Sequence, residues 1–66
     1  MNLLLNGERV EREDAATIGE LIERLALVPE TTLVEHNGTA LHRRAWPNEK
    51  LQEGDRVEIL RVAAGG

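Results

Sequence analysis

Apolar positions in the first twelve residues fall into two short groups divided by a polar pair. Leu3, Leu4 and Leu5 lie between Asn2 and Asn6, and Val10 stands alone among Glu8, Arg9, Glu11 and Arg12. The dividing pair, Asn6-Gly7, is a hairpin signal, because both residues reach positive φ at little cost. Strands are therefore expected over about residues 2–6 and 9–13. Alternation turns Leu3, Leu5 and Val10 toward one face.

A different period follows. Thr17 and Glu20 give Thr-x-x-Glu, the capping-box pattern, in which the hydroxyl accepts from the Glu20 amide while the Glu20 carboxylate reaches back. Ala16 and Leu21 are placed to staple that end. Ile18, Leu21, Ile22 and Leu25 recur at i, i+3, i+4 and i+7, with Glu20, Glu23 and Arg24 on the other face. Pro29 cannot continue the ladder, so the spacing predicts one amphipathic helix over about 17–27. Leu33 to His36 reads as a strand, Asn37-Gly38 as a second hairpin turn, and Ala40 to His42 as a short strand. Arg43 to Leu51 is irregular, with one helical turn near Trp46. Glu53-Gly54-Asp55 is a turn into a last strand over 56–62, and Ala63-Ala64-Gly65-Gly66 has almost nothing to bury.

The order strand, strand, helix, strand, short strand, strand is an α+β pattern, and a lone amphipathic helix must cover one face of the sheet. A first hairpin, a crossover helix and a final strand beside the first describe a β-grasp (ubiquitin-like) fold. Its mixed sheet would have four to five strands, covered on one face by the one main helix. The expected core is Leu3, Leu5, Val10, Ile18, Leu21, Ile22, Leu25, Val34, Leu41, Leu51, Val57 and Ile59. Residues 1–62 are expected to form the domain and 63–66 a flexible tail.

With 66 residues and a formal net charge of −4, the chain is one small acidic domain. That charge repels phosphate backbones, and Trp46 as the only aromatic offers no stacking platform, so nucleic acid is not an expected partner. There is no cysteine for a disulfide, a thiol nucleophile or a metal thiolate. No apolar run approaches the roughly twenty residues of a membrane span, and the opening residues have no basic leader, so a cytoplasmic location and no membrane partner are expected. His36 and His42 fit no ligand spacing and read as solvated strand ends, which leaves no metal site. Trp46 reads as a core or rim anchor. Glu11, Glu13 and Asp14 read as a solvated acidic strand end. The chain has no serine, so no Ser-His-Asp nucleophile can form, and Gly38 and Gly54 belong to turns, not to a phosphate loop. No catalytic residue is expected, and no bound cofactor.

Several pieces together resemble the ThiS-type sulfur carriers of thiamin (thiazole) biosynthesis. They are Asn6-Gly7-Glu8, Thr17-Ile18 through Leu25, Glu35-His36-Asn37-Gly38, Trp46, Leu51-x-x-Gly54-Asp55-Arg56-Val57-Glu58-Ile59, and the final Gly65-Gly66. Their order over the whole length carries the likeness; no single piece does. His42-Arg43-Arg44 departs from the Pro-Arg that often precedes the tryptophan region in that family. MoaD-type carriers of molybdopterin synthesis, with the same fold and diglycine, are the nearest alternative.

Diglycine at a set position arises by chance in roughly one chain in 200. Gly65 and Gly66 have no Cβ and can thread a narrow slot with Ala64, and four extended residues from Ala63 reach at most about 14 Å. The Gly66 carboxylate is a poor electrophile until ATP converts it to an acyl adenylate. A persulfide donor can then supply sulfur that displaces AMP, leaving a thiocarboxylate. The resemblance implies a ThiF-like adenylating enzyme, which uses the ATP, and a ThiG-like thiazole synthase as acceptor. The chain itself would be a co-substrate rather than an enzyme. Alternation in the last strand puts Leu60 and Val62 on the face away from the helix, with Leu4 beside them, as a candidate partner-binding patch. Two other readings share these residues: a ubiquitin-like modifier joined to lysines through Gly66, and a β-grasp binding module with an inert tail.

Overall fold

The computed structural model describes residues 1–63 and contains one mixed sheet of five strands. Strands β1 (Asn2–Leu5) and β2 (Glu8–Glu11) form the first hairpin, and β3 (Thr32–His36) and β4 (Thr39–Leu41) the second. The last strand, β5 (Arg56–Arg61), completes the spatial order β2-β1-β5-β3-β4. It therefore lies at the centre, parallel to β1 and antiparallel to β3. This is the β-grasp arrangement.

Both hairpins close through two residues with positive φ, Asn6 and Gly7 at 52° and 80°, Asn37 and Gly38 at 52° and 84°. Such turns match the twist of the strands they join. Each turn asparagine also holds β5. Asn6 Oδ1 accepts from the Ile59 amide at 2.6 Å, and Asn37 Oδ1 from the Arg56 amide at 2.8 Å. The central strand is thus fastened from both flanks by side chains as well as by the ladder.

Helix α1 (Ile18–Arg24) covers one face. Its start is as expected: the Glu20 amide donates to Thr17 Oγ1 at 3.1 Å, and the Glu20 carboxylate accepts from the Ala16 amide at 2.6 Å. Its end is not. The expected 17–27 span is cut to seven residues, and Pro29 does not terminate it. Ala26 takes a left-handed conformation (φ 56°), with its amide donating to the Glu23 carbonyl and the Leu27 amide to the Ile22 carbonyl. That is a Schellman closure with alanine where glycine usually stands. Pro29 instead opens a 3₁₀ turn, Pro29–Thr31.

A second 3₁₀ segment, Arg43–Asn48, packs its buried Trp46 into the core. Gly19 makes room for it: a Cβ there would stand 3.2 Å from the Pro47 Cα. Leu3, Ile18, Leu21, Ile22 and Val57 are the fully buried centre, joined by Ala15, Val34, Trp46 and Leu51. The other expected core residues, Leu5, Val10, Leu25, Leu41 and Ile59, pack half-buried around them. Burying one such aliphatic side chain contributes about 1.5–3 kcal/mol. Among the described residues no helix is long and apolar enough to cross a membrane.

Candidate functional site at the end of the last strand

Strand register decides which side chains share the helix-free face. Val34 opposite Ile59 points toward the helix, so the neighbouring pairs, Leu33 with Leu60 and Glu35 with Glu58, point away from it. Leu60 and Leu33 are 62% and 55% exposed, and Val62 beyond them 42%. With Asn6, Glu35, Ala40 and Glu58 the two leucines line a shallow groove of about 570 Å³. The backbone stays anchored up to this point: the Val62 amide donates to the Thr31 carbonyl at 2.8 Å, and Thr32 beside it is buried. The chain thus leaves the sheet from its central strand, next to an aliphatic surface.

Of the residues singled out in the sequence, Leu60 and Val62 lie on this surface. Leu4 shares the face but is half-buried and sits opposite Arg56, four residues before Leu60 on β5. At strand spacing that is about 13 Å away. Leu33 takes the place beside Leu60 instead. Sequence reasoning passed over it because Leu33-Val34 are adjacent apolar residues, and only the pairing with β5 shows which of them faces out. Ala64, Gly65 and Gly66 lie outside the described residues.

His36 overturns an expectation. It is not a solvated strand end; its side chain is only 9% exposed, held between two carboxylates. Nδ1 lies 2.7 Å from Glu49 Oε2 and Nε2 2.6 Å from Asp55 Oδ2. Ionised carboxylates only accept, so both ring nitrogens donate and the ring is an imidazolium. Burial works against that charge, but the hydrogen bonds to Asp55 and Glu49 and their negative charges outweigh it, and the histidine pKa is raised. Burial likewise opposes the Asp55 charge, while His36, the Asn37 amide at 3.1 Å and the Gln52 backbone amide at 2.8 Å hold its pKa down. The cluster fastens β3, the start of β5 and the intervening loop at the end of β5 away from Leu60. Its role is architectural.

The remaining candidates are also accounted for structurally. His42 is exposed and its Nδ1 accepts from the Arg44 amide at 3.2 Å. Glu11 and Glu13 flank the Met1 ammonium, and Arg12 pairs with Asp14 at 2.8 Å.

The ThiS family model matches residues 3–66. No significant match to a curated protein is found. Solved structures similar to this chain include the crystal structure of a thiamine biosynthesis protein (ThiS) from Geobacter metallireducens. It is 35% identical with a TM-score of 0.82, and the alignment covers all of both chains. The solution NMR structure of a thiamine biosynthesis protein from the same organism is also 35% identical, with a TM-score of 0.81. That alignment covers all of this chain and 88% of the other.

Proposed function

The chain belongs to the ThiS family, and we propose that its role as a sulfur carrier in thiamine biosynthesis runs through the carboxylate of Gly66. In the first step that carboxylate attacks the α-phosphorus of ATP in a partner adenylating enzyme of the ThiF kind. Pyrophosphate leaves and an acyl adenylate remains. The outer sulfur of a persulfide donor then attacks the activated carbonyl and AMP departs, leaving an acyl disulfide, and a thiol reductant cleaves its S–S bond to free the thiocarboxylate. Its nucleophilic sulfur is passed to a thiazole synthase of the ThiG kind. ATP belongs to the partner's chemistry, and the carrier holds no cofactor of its own.

The observation that carries this reading is that the family match continues through Gly66, in a chain whose central strand ends beside exposed leucines. Gly65 and Ala64 would thread the partner's slot, while Leu60 and Val62, with Leu33, would rest on its rim. A chain ending at Ala64 should fold as before and no longer support ATP–pyrophosphate exchange by the adenylating enzyme. Exchange at the full rate with that shortened chain would contradict the reading.

A further inference from the structure

The helix-free face carries a charge arrangement from which the sheet itself gains nothing. Glu35 on β3 and Glu58 on β5 are direct cross-strand neighbours, both exposed. Neither enters an ion pair among the described residues. Like charges directly opposite destabilise a strand pair, and local rules are broken chiefly where a fold trades stability for contact. The arginines of this face stand to one side of the carboxylates. Arg56 lies opposite Leu4, and Arg9 flanks Leu4 on β2. Along β5 the face therefore reads arginine, paired carboxylates, paired leucines, then Val62 and the tail.

Resting on the carrier function above, we propose that Glu35 and Glu58 together seat an arginine or lysine side chain of the adenylating enzyme. Leu33 and Leu60 pack against apolar surface between that cation and the slot the tail enters. The occupant follows from charge. Two adjacent carboxylates on a chain of net charge −4 attract a cation, and a guanidinium fork can satisfy both. The leucines exclude water on one flank of the pair, which strengthens it. On the other flank Arg9 and Arg56 repel a partner cation, so the enzyme can dock in only one direction along β5. That direction feeds the tail into the slot.

The test is the dependence of ATP–pyrophosphate exchange on carrier concentration, at several salt concentrations, for the wild type and the Glu35→Gln/Glu58→Gln double variant. The apparent KM for the carrier should rise about tenfold in the variant, with kcat held and the salt dependence flattened. The urea midpoint of the isolated variant should equal or exceed the wild type's, because a repulsion has been removed. A KM and salt dependence equal to the wild type's overturn the proposal and leave the carrier function standing. A KM rise explained by a lowered urea midpoint also overturns it, as does a loss of carrier self-association in place of weaker enzyme binding. Absence of any exchange with the wild type overturns the tail chemistry, and this proposal with it.

Discussion

A histidine held between two carboxylates has one protonation state that satisfies all three groups, and this ties the stability of the domain to pH. His36 in the fold is raised above its ordinary 6.5. Its charged form therefore supports the fold fully below about pH 6.5, and that support is lost as pH rises through the folded value. Asp55 runs the other way. It is held below 3.8, so its contribution is present above that value and is lost as pH falls through the lowered one. The cluster should be strongest between about pH 4 and 6.5. His36→Gln should cost about 2 kcal/mol near pH 6 and flatten the alkaline decline. Urea midpoints between about pH 5 and 9 measure this. A wild-type curve level through the alkaline half, or a variant curve parallel to it, would contradict the assignment.

Among the elements, the helix cap and the two turns separate what the sequence displays from what it conceals. Thr-x-x-Glu announces the start of α1 because the cap is a local contact. The end carries no such sign, since Ala26 occupies the left-handed position where glycine would advertise a stop, and Leu25 and Leu27 continue an apolar pattern. Alanine there costs about 1 kcal/mol in backbone strain. Ala26→Gly should therefore raise the melting temperature by about 4–8 °C; a lower midpoint would show that the strain is absent. The two Asn-Gly turns are indistinguishable in sequence and differ in surroundings. Asn6 accepts from the Ile59 amide, which an aspartate can also do. Asn37 additionally donates to the mostly buried Asp55 carboxylate. Asn37→Asp should accordingly lose about 2 kcal/mol at neutral pH, while Asn6→Asp stays within about 0.5 kcal/mol of the wild type. Equal losses measured by urea unfolding would refute the distinction.

For the molecule as a whole, alternation and helical spacing made the strands, the helix and the core legible before the structure. They reflect neighbours a few residues apart. The His36 cluster was not legible, because Glu49 and Asp55 lie 13 and 19 residues further along and only the strand order brings them together. Leu33 was hidden for the same reason: it joins Leu60 through register, whereas Leu4, the sequence's choice, lies opposite Arg56. The exposed leucine pair should act in recognition and not in folding. Leu60→Glu is expected to raise the apparent KM for adenylation about tenfold, with the melting temperature unchanged. Wild-type kinetics in that variant would remove the leucines from the docking surface. The proposed carrier chemistry puts the sulfur on the last residue of the chain. Intact-mass spectrometry after incubation with ATP, the cognate adenylating enzyme, a persulfide source and a thiol reductant tests it most directly. The account predicts one oxygen replaced by sulfur, assigned by fragmentation to Gly66; an unchanged mass beside an active enzyme, or sulfur found elsewhere in the chain, would contradict it.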